Sequence, residues 1–396
     1  MRLAFRTLRK NPFVTGVAVL SLALGIGSNA AIYSVFDEVL RSPLPVPHPE
    51  QLVNLSNSIS PAGWVSSNEA GHSTSVFSYP MLRDIERTQT LFTGVAAHRA
   101  FPANIAYSDK TLHADGAMVS GSYFPVLGLT PALGRLLGPS DDQTIGTSAV
   151  AVVGYAYWQT RLGQDPAVLN RTMTINGHPM TIVGVAPKGF EGTVLGRHPS
   201  VYVPISMRHE MNPSFAGFDS RRNYWAYLFA RLKPGVTPGQ AAASVNREFH
   251  GIINDVEAPL QKDMSAGELA QFRAKALMLT DGRRGQSTFR EAVETPLYLM
   301  LATTAIVILI ACANVANLLL ARGAGRASDI AIRLSLGATR ARLVGQLLTE
   351  SLMLACMGGL LSVLASYWTL ALLGALLPAG MAATFHVELR PQALAF

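Results

Sequence analysis

Three stretches of the chain are apolar and free of charge: residues 11–36, residues 295–321, and a third from Ser351 to about Leu377. Each is longer than the ~20 residues a helix needs to cross a hydrocarbon core ~30 Å thick. The pattern predicts three membrane helices, at 13–37, 295–321 and 348–378. The first apolar run is too long for a secretory signal, and Ser28-Asn29-Ala30-Ala31 only faintly resembles a cleavage site. It reads as an uncleaved span.

Between the first two spans, residues 38–294 carry the mixed pattern of a folded domain. Four prolines within 40–49 stiffen the exit from the membrane. Ser78-Tyr79-Pro80 opens a helix through Ile85, and 148–154 and 201–205 are apolar strands. Asn176-Gly177 sits between two strand-forming runs, Thr172–Ile175 and His178–Val185, and predicts a tight hairpin. Residues 224–232 are apolar on both faces, as a central strand covered on both sides would be. A turn at Lys233-Pro234-Gly235 follows. Thr237-Pro238-Gly239-Gln240 then reads as a capping box with proline at the first helical position. That helix sets Val245, Phe249, Ile252, Ile253 and Val256 on one stripe. Strand, turn and amphipathic helix together predict an α/β, sandwich-like domain.

Composition agrees with this division. Of 396 residues, 49% are hydrophobic and only 14% charged, and the excess sits in the spans. A net charge of +7 would suggest nucleic acid if the basic residues shared a soluble face, but they flank the spans instead. Arg2, Arg6, Arg9 and Lys10 precede the first span; Arg322, Arg326, Arg333, Arg340 and Arg342 fill the link between the second and third, opposed only by Asp329. Short basic flanks stay on the cytoplasmic side. The expected topology has residues 1–12 as a cytoplasmic basic helix and 38–294 outside the cytoplasm. Cys312 and Cys356 both lie in apolar stretches, so the large domain has no disulfide framework and depends on its own core.

Chemistry is sparse. His209-Glu210 lacks the second histidine of a zinc-protease helix, no G-x-S-x-G elbow occurs, and the absence of any Gly-Lys dipeptide rules out a P-loop in this chain. Asp141-Asp142 reads as a solvated loop or a helix cap. We expect no catalytic, metal or cofactor-binding residue. Inside the spans, Ser21, Gly25 and Asn29, and likewise Ala313, Asn317 and Ala321, recur at intervals of four and suit close helix packing. Within the three charge-free runs no Asp, Glu, Lys, Arg or His occurs, and such side chains are the usual mark of an ion-coupled pump.

The link after the second span contains Ile330-Ala331-Ile332-Arg333, Leu336-Gly337-Ala338 and Thr349-Glu350-Ser351. It resembles the signature of MacB/FtsX-type ABC permeases, with Asp329 where glutamate is usual. The start is similar to acidobacterial-type permeases of that family: Leu8-Arg9-Lys10-Asn11-Pro12-Phe13, then Leu22-Ala23-Leu24-Gly25-Ile26-Gly27 and Asn29. Val119-Ser120-Gly121-Ser122-Tyr123-Phe124, Leu127-Gly128, Gly134-Arg135, Tyr157-Trp158 and Val183-Gly184-Val185-Ala186-Pro187 resemble its periplasmic core domain.

The resemblance implies a multi-pass α-helical inner-membrane protein with a large α/β periplasmic domain, made of a Porter-like part and a Sabre-like insertion at about 116–220. It implies a separate ABC ATPase subunit, a second permease copy, and a periplasmic adaptor or outer-membrane channel. The implied function is that of an exporter permease; the alternative is an FtsX-like signalling subunit that activates a periplasmic cell-wall hydrolase. The expected ATPase-coupling residues are Arg326, Asp329, Ile330, Arg333, Leu334, Gly337 and Ala338, within a cytoplasmic segment at 322–347. Residues 379–396 are expected to be a periplasmic tail, with 387–396 resembling the lead-in to the family's fourth span, as in a truncated product or split gene.

Overall fold

The computed structural model describes residues 12–108, 110–262, 264–324, 332, 335 and 339–376. The chain forms two compact units, one of helices drawn from Met1–Arg41 and Glu291–Phe396, the other Ser42–Arg290.

Helix α1 (Pro12–Phe36) starts on a proline, whose missing N–H is no loss in a first turn. Below, α8 denotes Thr288–Ala324 and α9 Arg340–Leu376. Three helices among the described residues are long and apolar enough to cross a membrane, over Thr15–Arg41, Thr288–Ala321 and Leu348–Leu373. The last two helices begin ahead of their apolar stretches, because charged first turns such as that with Glu291 are as good helix formers as apolar ones.

Small residues set the packing between these helices. A Cβ on Gly27 would lie 2.7 Å from Ala365 Cβ and 2.8 Å from Ser362 O, and Ser366 Oγ donates to Gly27 O at 2.9 Å. Gly25 faces Ile308 and Ala311 of α8 at 3.6 Å, and Thr304 Oγ1 donates to Asn29 Oδ1 at 3.0 Å. The second expected series does not take part. Ala313, Asn317 and Ala321 are exposed, because α8 meets α1 through Thr304, Ile308 and Ala311, and Ala313 points to the far side of the helix.

The large unit is built on one mixed sheet. Its strands are β1 (Leu52–Asn57), β3 (Val76–Phe77), β4 (Phe92–Tyr107), β5 (Lys110–Val119), β6 (Leu133–Gly134), β7 (Val150–Val153), β8 (Thr172–Ile175), β9 (His178–Val185), β10 (Val201–Pro204), β12 (Ala226–Leu232) and β13 (Leu277–Asp281). β2 (Trp64–Val65) and β11 (Asn223–Tyr224) pair separately. The main order is β13-β1-β12-β4-β5-β10-β7-β9-β6, and β8 bridges β9 back to β4. The pairings β4-β5-β10-β7-β9-β8-β4 therefore close a ring of six strands.

β12 is buried along its whole length, as its two-sided apolar pattern requires. Leu228, Ala230 and Leu232 join the larger core beneath α2 (Tyr79–Thr88) and α6 (Pro238–Gly251). Phe229 joins a second core with Tyr123 and Phe124 of α3 (Tyr123–Leu127). The hairpin β8–β9 turns at Asn176 and Gly177 with φ of 48° and 87°, the left-handed pair that a two-residue turn demands. Ser78 Oγ caps α2 by accepting from Met81 N, and Thr237 and Gln240 bond reciprocally at the start of α6.

One expectation needs correction. The stripe on α6 does not reach Val256, which is 38% exposed; a wide helical turn at Ile252–Glu257 shifts the phase and buries Glu257 instead. Of the two readings of Asp141-Asp142, solvated loop or helix cap, the structure takes the cap, in the short helix Pro139–Asp142. Asp141 caps Gly138 N and pairs with Arg135, while Asp142 accepts from Arg83, Gly121 N and Ser206 N. β4 and β5, the longest strands, were not legible, since Pro102 and Asn104 interrupt β4. Pro102 is tolerated because it sits between the stretch paired with β12 and the stretch paired with β8, so its edge lacks no ladder bond.

Candidate functional site

The residues expected to couple to an ATPase, Arg326, Asp329, Ile330, Arg333, Leu334, Gly337 and Ala338, lie outside the described residues. Their described neighbour Ile332 is 57% exposed.

The lead-in to α8 is fastened to the large domain by hydrogen bonds. Gln286 N donates to Thr193 O at 2.9 Å, and Thr288 N donates to Glu69 O at 2.8 Å. The Gln286 side chain enters the core: its Nε2 donates to Leu228 O at 3.1 Å, and its Oε1 accepts from His98 Nε2 at 2.7 Å. His98 is walled by Tyr227, Tyr123 and Phe229, and burial holds its pKa down at about 4. The imidazole is neutral, a structural donor.

The charged groups inside the domain are mostly paired. Arg221 bridges Asp84 and Glu257, and burial raises the Glu257 carboxyl even so. Lys275 is fully buried against Tyr224 and Phe272, and burial pushes its amine down to about 8. Among the described residues no group of His, Cys, Asp and Glu is placed to hold a metal ion.

One arrangement is different. A cleft of about 730 Å³ opens beside the Asn176 hairpin, lined by Trp64, Phe101, Phe215, Arg99 and Arg208 among others. Arg208 comes from the short helix α5 (Arg208–Met211) and is 2% exposed. Its guanidinium carbon lies 3.7 Å from the centre of the Phe215 ring and 3.8 Å from that of Trp225, and these two rings, 5.6 Å apart and inclined at 67°, form a corner around it. Its Nε and Nη1 are buried without a hydrogen-bond partner. Burial, and then Arg99, pull its pKa down to about 8. Arg99 spends its own donors on Ser66 O, Trp225 O and Ser66 Oγ. Sequence reasoning missed this site. Arg208 adjoins His209-Glu210, which carries no motif, and its aromatic partners arrive from two other segments.

Comparison with known proteins matches two successive stretches of the chain. The family model of the MacB-like periplasmic core domain matches residues 15–248, and that of the FtsX-like permease C-terminal matches 301–395. The macrolide export ATP-binding/permease protein MacB of Rhodopseudomonas palustris (strain BisB18) is 25% identical over 267 residues, 66% of this chain and 36% of that protein. The pyoverdine export ATP-binding/permease protein PvdT of Pseudomonas syringae pv. tomato is 27% identical over 270 residues, 67% of this chain and 36% of that one. The uncharacterized ABC transporter permease YknZ of Bacillus subtilis (strain 168) is 25% identical over 271 residues, 68% of this chain and 60% of its own length. The crystal structure of the periplasmic region of MacB from Actinobacillus actinomycetemcomitans aligns with a TM-score of 0.40 at 14% identity, covering 65% of this chain and 98% of that one. The chain spans 36% of the length of the MacB and PvdT relatives it matches. With the core-domain model spanning more than half of its residues and the permease model following it, the chain belongs to the MacB/FtsX-type ABC transporter permeases.

Proposed function

We propose that the chain is the permease subunit of an ABC exporter, in which a separate ATPase drives motion that the spans carry to the periplasmic domain to expel substrate from the envelope. The observation that carries this reading is the continuity of α8. One helix runs from Thr288, hydrogen-bonded to Glu69, to Ala324 at the edge of the basic link. Residues 295–321 within it contain no Asp, Glu, Lys, Arg or His, which suits a mechanical coupler better than a conduit. The N-terminus and the link at 322–347 are cytoplasmic in this reading, on the strength of their arginines. A second permease copy completes the unit, and a periplasmic adaptor or outer-membrane channel takes the substrate onward. The Sabre-like part lies at about 116–220; β10, β7, β9 and β6, all from that stretch, are consecutive at one end of the sheet, as an insertion would leave them.

The coupling residues are tested directly. Ile330 and Leu334 lie four apart and would present one apolar ridge on a helix, flanked by Arg326 and Arg333. Changing Ile330 and Leu334 together to serine keeps every arginine, so orientation should hold while co-purification of the ATPase falls several-fold. Normal insertion with wild-type recovery of the ATPase would refute the assignment. The periplasmic partner recovered alongside separates the two functional readings: an adaptor supports export, and a cell-wall hydrolase supports the FtsX-like signalling role.

A further inference from the structure

The large domain satisfies most of its interior arginines. Arg231 donates to the carbonyls of His48, Val126 and Leu127, and Arg83 donates to Asp142. Arg208 departs from this rule. It is as buried as any of them, yet its Nε and Nη1 have no acceptor within the protein. A buried cation with unmade hydrogen bonds is costly to keep. Phe215 and Trp225 form a corner around the guanidinium, and Nε and Nη1 are closed off beside it with no acceptor. No aspartate or glutamate lines the cleft itself; Glu69 offsets Arg99 from behind, which leaves Arg208 as the cation without a carboxylate beside it. The remaining walls are apolar where Trp64, Phe101 and Phe215 stand, and the volume of about 730 Å³ is in the range of small-molecule sites.

We propose that this cleft binds a small organic carboxylate with a flat apolar body, the carboxylate on the edge of Arg208 and the body against Trp64 and Phe215. The carboxylate supplies an acceptor that the fold withholds from Arg208, bonding one of its two unpartnered nitrogens. Trp64 is half exposed at the mouth, where it can close over the ligand. The site belongs to the periplasmic domain itself, and its occupancy does not depend on which subunit drives the permease.

The test uses the full chain in phosphatidylcholine nanodiscs and measures binding of 2-naphthoate by equilibrium dialysis, with empty nanodiscs as background. Saturable binding of one molecule per chain is expected, at least tenfold tighter than the neutral analogue 2-naphthalenemethanol. Arg208→Met should weaken 2-naphthoate at least tenfold while leaving the neutral analogue unchanged. Trp64→Ala, at a half-exposed position, should weaken both ligands several-fold, and it serves as the variant if Arg208→Met fails to fold. Equal affinity for the charged and neutral ligands would overturn the proposal. So would non-saturating uptake, or wild-type binding by the folded variants.

Discussion

At the residue scale, His98 shows how a titratable group becomes part of a scaffold. Gln286 Nε2 is committed to Leu228 O, so Gln286 Oε1 is the acceptor and His98 must carry its proton on Nε2. Its pKa is about 4 in the folded protein against 6.5 for the free side chain. The unfolded chain therefore binds more protons between those two values, and folded stability from this group is lost as pH falls from 6.5 towards 4. The full loss is on the order of 3 kcal/mol. His98→Gln keeps a donor but cannot ionise, so its thermal unfolding midpoint should vary less with pH over that window than the wild type's. Parallel curves for the two proteins would mean that His98 does not carry the acid sensitivity. His98 and Gln286 are far apart in sequence, and nothing local to either reveals the pair.

The spacing of small residues governs the element scale. Gly27 meets Ala365 and the carbonyl of Ser362 so closely that even a methyl group would force α1 and α9 apart. Gly16, on the same helix, has nothing within 4 Å of the equivalent position. Gly27→Ala should destabilise the helical unit by about 1–3 kcal/mol through overpacking. Gly16→Ala should be neutral or slightly stabilising, since alanine is the better helix former. Thermal unfolding of the full chain in detergent compares them, and equal midpoints would show that the contact at Gly27 does not limit packing. The interval of four in Ser21, Gly25 and Asn29 was legible, and the structure pairs Gly25 and Asn29 with α8. The same interval in Ala313, Asn317 and Ala321 stays exposed, because spacing identifies a face but not the neighbour that it meets.

For the whole molecule, the two cysteines report on the membrane directly. Cys312 lies in α8 and Cys356 in α9, both exposed on their helices and both inside stretches apolar enough to span a bilayer. In intact membranes, lipid should cover them. A membrane-impermeant maleimide should label neither from either side, whereas both should react once the protein is dissolved in SDS. Rapid labelling of either cysteine in sealed vesicles or spheroplasts would place that helix in water and remove a span. The large domain contributes no background, since it contains no cysteine.

What the sequence determined by itself was local or one-dimensional. Charge-free stretches revealed the three apolar helices, Asn176-Gly177 the hairpin, Thr237 and Gln240 the start of α6, and the two-sided apolar run 224–232 the central strand, which begins at Ala226. Each follows from a few adjacent residues and a fixed period, which no distant contact has to supply. Tertiary structure alone decided the rest. It made a sixteen-residue strand of Phe92–Tyr107 by giving Pro102 a gap between two partners. It buried Asp141 and Asp142 by bringing Arg135 and Arg83 to them, and turned Glu257 inward in place of Val256. The cleft around Arg208 belongs to this class too: its rings come from Phe215 and Trp225, and its second cation, Arg99, from a strand more than a hundred residues earlier. An isolated arginine in sequence looks like any surface charge. Only the closed sheet and the loops folded over it remove water from Arg208 without supplying an acceptor, and that desolvation makes the residue conspicuous.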